Sequence, residues 1–241
     1  MALSRDGLVA SAISVDPNSR QKKLGILLSD PDNVPGAEFL PAHSAELTDL
    51  AFSPDGKFLA SASLDQTVRL WQFEGRKAKD IPAAVAHGDR VLKLAWSHDG
   101  RYLASLDSGW TLIVRETANG QLHRHRLYGP TGLGEAPRAL AFDDAGRVAL
   151  LVWTNSRWQV DLFDWREGKV TRQLSGPKEN VSLRDAVFDP ALRLVAASWD
   201  NGALAIWQPG TDPLRLRKFP LRRCPRRVIF VSRWDADTTI P

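Results

Sequence analysis

The chain has 241 residues, of which 43% are hydrophobic and 25% charged. That length buries a sizeable core, and that balance excludes a disordered or collagen-like polypeptide. The formal charge is +4, but Arg215, Arg217, Lys218, Arg222, Arg223, Arg226 and Arg227 sit in one stretch without an acid. The rest of the chain is therefore net acidic, which excludes a global nucleic-acid-binding field and leaves only a local one.

The longest clearly apolar run, near Val148–Trp153, is far shorter than the ~18 residues a spanning helix needs. The chain has one cysteine, Cys224, which excludes an internal disulfide framework and a cysteine-based zinc cluster and suits a reducing, cytoplasmic setting. Leu8–Val15 is too short and too weakly apolar for a secretory signal and reads as a strand after a turn.

From there the chain repeats itself. Leu50–Trp71 reads LAFSPDGKFLASASLDQTVRLW, and Leu94–Arg115 reads LAWSHDGRYLASLDSGWTLIVR. Phe52 aligns with Trp96, then with Phe142 in AFDDAGRVALLVW and with Phe188 in VFDPALRLVAASWDNGALAIW. Leu3 holds the same place near the start and Val231 near the end. Each copy has an apolar stretch that ends at a Ser-Pro-Asp-Gly-like turn, where Pro presets φ and Gly accepts positive φ. A second stretch (Phe58–Ser63), a polar turn and a third stretch (Thr67–Phe73) follow, with a weaker fourth before the next copy. Runs of this length and composition are hairpin-linked strands, and no helical period persists through the turns. A four-stranded sheet cannot bury both faces alone, so each copy must stack on its neighbours.

A period of forty-odd residues with these turns resembles the WD-repeat (WD40) β-propeller family. The resemblance implies an all-β chain of about five four-stranded antiparallel blades. These cover approximately 3–40 together with 226–233, then 41–81, 85–128, 135–175 and 179–220, in a single domain over 1–234 with a tail at 235–241. The ring is either closed by the C-terminal strand Arg226–Arg233 or an incomplete part of a larger one. In the family a His, a Ser, an Asp and a Trp form a hydrogen-bonded chain across a blade. Carried over, these are His43, Ser61, Asp65 and Trp71. The second copy keeps His87 and Ser105 but has Gly109 and Arg115 in the other two places. The third has Leu133, Leu151, Asn155 and Phe163; the fourth has Glu179, Ala197, Asn201 and Trp207.

Catalytic and metal signatures are weak. His123 and His125 face one side of a strand but lack a third local ligand, and Arg124 and Arg126 repel a cation. Gly129–Gly134 lacks the Lys-Ser/Thr of a phosphate loop, Asp143 and Asp144 fall at a turn, and Cys224 has no evident base. No catalytic residue, metal or cofactor is expected.

The sharper feature is aromatic. Trp110 takes the turn position of Gln66, an insertion alignment puts Trp158 there too, and Trp199 lies close to such a turn; these rings either anchor a partner or fold back onto their own blades. The expected function is a non-catalytic platform for a protein or peptide partner, with Trp110, Trp158 and Trp199 as anchors and Arg90 and Arg157 as flanking contacts. Nucleic-acid contact through Arg215–Arg227 is a lesser reading, and no membrane contact is expected. The alternatives are a hydrolase-like enzyme with its site at the channel mouth and a sensor segment of a larger signalling protein.

Overall fold

In the computed structural model of the chain the described residues are 1–15, 23–30, 37–75, 77–127, 138–154, 157–178, 183–189, 193–199, 203–209 and 216–220. Among them there is no helix, and hence none long and apolar enough to cross a membrane.

Among the described residues twenty strands form five antiparallel four-stranded sheets, the blades of a β-propeller, one per sequence repeat. The first blade contains β1 (Ala2–Leu3), β2 (Val9–Val15), β3 (Lys23–Ser29) and β4 (Glu38–Pro41). The second contains β5 (Leu47–Phe52), β6 (Phe58–Ser63), β7 (Thr67–Glu74) and β8 (Lys77–Ala86). The third contains β9 (Val91–Trp96), β10 (Tyr102–Asp107), β11 (Thr111–Glu116) and β12 (Leu122–Arg126). The fourth contains β13 (Ala139–Phe142), β14 (Val148–Thr154), β15 (Arg157–Asp164) and β16 (Lys169–Ser175). The fifth contains β17 (Leu183–Phe188), β18 (Val195–Trp199), β19 (Ala203–Trp207) and β20 (Leu216–Pro220).

Every blade is a meander, each strand pairing with the next in sequence. The second blade runs to Ala86, beyond the boundary expected at 81. In the first blade, β1 pairs with the start of β2 through Ala2↔Ala10 and Leu3↔Val9. The expected closing strand, 226–233, lies outside the described residues, as do Cys224, Gly129–Gly134, Leu133, Asn155, Glu179 and Asn201. Of the basic stretch Arg215–Arg227, only the backbone of 216–220 is described.

The chain divides into two compact units, Met1–Gly132 and Leu133–Pro241. Within the first, neighbouring blades share cores, as sheets with two apolar faces require. Leu8, Ala10, Ile26 and Leu28 pack with Leu50, Leu59, Trp71 and Phe73. Ala60, Ala62, Val68 and Leu70 pack with Val91, Leu94, Trp96 and Ile113. Polar ties reinforce the second contact. Thr48 Oγ1 donates to the Val91 carbonyl at 2.7 Å, Leu94 N–H to Asp49 Oδ2 at 3.0 Å, and Trp96 Nε1–H to the Ala51 carbonyl at 3.0 Å. In the second unit, Trp158, Val160 and Leu162 of the fourth blade pack with Trp199, Ala205 and Trp207 of the fifth.

The recurring turn explains itself chemically. Asp55 Oδ1 accepts from Ser53 Oγ–H at 2.6 Å and from Lys57 N–H at 3.1 Å, while Ser53 Oγ accepts from Phe58 N–H at 2.9 Å. Ser97, Asp99, Arg101 and Tyr102 repeat this pattern. In the fourth and fifth blades an aspartate stands where the serine was. Asp143 Oδ1 accepts from Arg147 N–H at 2.8 Å and Asp189 Oδ1 from Leu194 N–H at 2.6 Å. One carboxylate there does the work of the Ser–Asp pair, which is why Asp143 is turn-making.

Candidate functional site

In the second and third blades the turn that joins second to third strand meets the segment that leads into the first strand: Leu64 N–H donates to the Glu46 carbonyl and Ser108 N–H to the Arg90 carbonyl, both at 2.9 Å. In the second blade His43 links them. Its Nδ1 lies 2.9 Å from Asp65 Oδ2 and its Nε2 lies 2.9 Å from Ser61 Oγ. Trp71 Nε1–H donates to Ser61 Oγ at 3.3 Å. A carboxylate only accepts, so the neutral ring carries its proton on Nδ1 and Ser61 O–H donates to Nε2. Asp65 Oδ1 also takes Thr67 Oγ1–H at 2.6 Å and Thr67 N–H at 3.0 Å, and its Oδ2 takes Ser44 N–H at 3.0 Å. All four expected residues are thus brought together.

The pattern copies a Ser–His–Asp hydrolytic triad, but its position does not serve attack on a substrate. Ser61 is fully buried and its oxygen already accepts the indole proton. A nucleophile must reach an external carbonyl. The network instead ties the β6–β7 turn to the segment before β5.

In the third blade sequence alignment points to Gly109, and the structure supplies a different carboxylate. Asp107, two residues earlier, lies 3.1 Å from His87 Nδ1, and His87 Nε2 lies 2.8 Å from Ser105 Oγ. Thr111 N–H donates to Asp107 Oδ1 at 2.7 Å, just as Thr67 N–H does to Asp65. A Cβ on Gly109 would approach Asp107 Oδ1 to 3.4 Å, so the glycine makes room for the displaced acid. The available signal was His87 itself, because a buried imidazole needs a partner for its N–H.

The fifth blade keeps its tryptophan and loses the acceptor. Ala197 pairs with Ala205 as Ser61 pairs with Arg69, and among the described residues Trp207 Nε1 has no hydrogen-bond partner. Ala197→Ser restores the acceptor and is expected to raise the unfolding free energy by about 0.5–1.5 kcal/mol, read from the urea midpoint. A fall would show that the hydroxyl does not reach the indole.

Burial pushes the His43 imidazole below its ordinary 6.5, with attraction to Asp65 opposing the shift. Burial raises the Asp65 carboxyl, but hydrogen bonds from Thr67, Ser44 N–H and His43 outweigh it and leave the group below 3.8. Asp107 behaves alike, with His87 and Thr111 N–H overcoming burial. The unfolded chain therefore binds more protons than the folded one in both ranges. Stability is expected to hold above pH 6.5, to decline below it as the unfolded His43 charges, and to fall again below 3.8 as the two aspartates protonate. Urea midpoints across pH 3–8 measure this, and a flat profile between pH 4 and 7 contradicts the His43 contribution.

The expected tryptophan anchors require correction. Trp110 is 7% exposed, Trp158 2% and Trp199 1%; these are core side chains. Trp158 stands inside β15, not at a turn tip, opposite Trp153 and on the face shared with Val160 and Leu162. Trp199 closes β18 on the face of Val195 and Ala197, and its ring lies 6.2 Å from Trp158 and 6.5 Å from Trp207. Trp110 does occupy a turn, in the left-handed conformation at φ +63°, as Gln66 does at +71°, yet it is buried. Arg90 is exposed, and Arg157 is half-buried with its Nη1–H donating to Ser175 Oγ at 3.4 Å. Exposed Ser44, Glu46, Gln66 and Arg90 form the outer layer of this end in the second and third blades.

Among the described residues no cluster of three or more His, Cys, Asp or Glu is placed to hold a metal ion. His123 Nε2 pairs with Glu116 at 3.1 Å.

The family model "WD domain, G-beta repeat" matches residues 37–72 and 81–113, the stretches that hold the two histidine networks. Those two stretches are WD repeats, and the four-stranded sheets they form have the blade pattern of a β-propeller. No curated protein matches it. WD-repeat propellers commonly serve as protein-interaction scaffolds and are typically non-enzymatic, and the buried serine of the pseudo-triad accords with that habit.

Proposed function

We propose that this protein is a non-catalytic platform that holds a protein or peptide partner on the turn-bearing end of its blades. The observation that carries the reading is the pair of His–Ser–Asp networks. They immobilise the turns of the second and third blades, so Ser44, Glu46, Gln66 and Arg90 stand on a rigid frame. Pre-ordered contact residues lose little entropy on binding. With the tryptophans committed to the core, affinity comes from polar and charged contacts, Arg90 foremost. A reducing, cytoplasmic setting suits the single cysteine.

The test is partner capture from the native host extract by the tagged chain, followed by identification of the captured protein. The combined Arg90→Glu and Gln66→Ala variant is expected to lose capture while keeping the wild-type urea midpoint, since both residues are exposed. Undiminished capture by that variant refutes the assigned surface.

A further inference from the structure

β16 is more exposed than the outer strands β4 and β12. Lys169, Val170, Thr171, Arg172 and Gln173 are all exposed, only Leu174 is half-buried, and Ser175 is exposed again. Val170, at 37% exposure, is one of four large hydrophobic side chains the described residues leave in solvent. Among the described residues β16 is the edge strand of its sheet, paired with β15 on one side. The segment is therefore already extended and accessible, the state in which a kinase active site receives a substrate.

Its order is Val170-Thr171-Arg172-Gln173-Leu174-Ser175. An apolar residue five places and an arginine three places before a serine is the pattern that one class of basophilic serine/threonine kinases selects. The apolar side chain fills a pocket on the kinase and the guanidinium meets acidic groups beside it. Both determinants are solvent-exposed here, and so is the acceptor serine.

The surroundings suit the product. Arg157 Nη1–H already donates to Ser175 Oγ at 3.4 Å, and exposed Lys178 follows three residues on. Gln159 stands directly across from Ser175 on β15. The carboxylate two residues along that face, Asp161, is buried and accepts from the amides of Gln159 and Gln173 at 2.6 and 3.2 Å. A phosphoserine carries about −1.5 to −2 charges near pH 7 and offers three strong acceptor oxygens, which a guanidinium binds in bidentate fashion.

We propose that Ser175 is a phosphorylation site for a basophilic serine/threonine kinase, with Val170 and Arg172 as its recognition residues and Arg157 as the clamp for the phosphate. In the transfer Ser175 Oγ attacks the γ-phosphorus of magnesium-bound ATP. The bond from that phosphorus to the bridging oxygen breaks, ADP leaves, and the hydroxyl proton passes to the kinase's catalytic carboxylate. The phosphate then joins β16 to the start of β15 through Arg157 and tightens the outer edge of the fourth blade.

The test incubates the folded full chain with magnesium-ATP and the catalytic domain of a calcium/calmodulin-dependent protein kinase. Intact mass and peptide mapping follow. One phosphoryl group on Ser175 is expected, absent in Ser175→Ala and incorporated about tenfold more slowly in Arg172→Ala. Arg157→Gln should be phosphorylated at the wild-type rate, yet should lose the rise in thermal midpoint that phosphorylation gives the wild type. Each variant changes an exposed or half-buried side chain, and urea midpoints before treatment check that the fold is kept. An unmodified Ser175 in the mapped peptides, or equal rates for wild type and Arg172→Ala, overturns the site. An equal thermal shift in Arg157→Gln overturns the clamp.

Discussion

Asp107→Ala is expected to lower the unfolding free energy by about 2–4 kcal/mol, measured by urea denaturation with tryptophan fluorescence. The side chain is fully buried and accepts from His87 and from Thr111 N–H. Truncation leaves a buried donor on His87 and a half-buried one on Thr111 without an acceptor, and an unpaired buried group costs about 1–3 kcal/mol. The companion variant Asp107→Ala with Gly109→Asp restores a carboxylate at the position that Asp65 holds in the second blade. Gly109 is not in the left-handed region, and its nearest neighbour in the space a Cβ would fill is the very carboxylate being removed. The double variant should regain at least half of the lost stability. If the single variant unfolds at the wild-type midpoint, the His87–Asp107 pair is not what holds this blade end together. If Gly109→Asp gives no recovery, the two carboxylate positions are not interchangeable.

Trp158→Ala should be at least as damaging, at about 3–5 kcal/mol, and its loss should fall on the second unit. The indole is 2% exposed, tilts against Trp153 at a centroid distance of 5.2 Å and against Trp199 at 6.2 Å, and joins a cluster that spans two blades. Removing it opens a cavity at the seam where the fourth and fifth blades share their core. Near-ultraviolet circular dichroism, which reports packed indoles, should lose much of its amplitude before the urea transition begins. An exposed residue such as Arg90, replaced by alanine, should shift stability by no more than about 0.5 kcal/mol. A Trp158→Ala protein with wild-type stability would contradict the packing of this ring between the fourth and fifth blades.

These two sites separate what linear reading reaches from what it misses. The second blade was legible residue by residue because His43, Ser61, Asp65 and Trp71 match the positions of the WD-repeat tetrad, and the hydrogen bonds join those same four residues. The third blade was legible as a blade but not in its chemistry. An aspartate two residues early reaches the same pair of donors, and an alignment compares columns, not the reach of side chains. The burial of Trp110, Trp158 and Trp199 was missed, and Trp158 was also misplaced along the chain for a related reason. Trp158 was counted into a turn by an insertion, whereas strand parity, set by the pairing of Trp153 with Trp158, sends it to the core. An uncertainty of one residue in a hairpin is enough to exchange inside for outside.

The sequence by itself determined the repeat, the strand-and-turn grammar within it and the number of four-stranded blades, because these depend on local composition and on a period that recurs along the chain. The tertiary structure alone decided which carboxylate serves His87, which tryptophans are buried, and that Arg157 lies against Ser175. Those outcomes depend on which strands pair in which register and which faces are covered by a neighbouring blade. Such contacts join residues that are distant along the chain, and no local pattern encodes them.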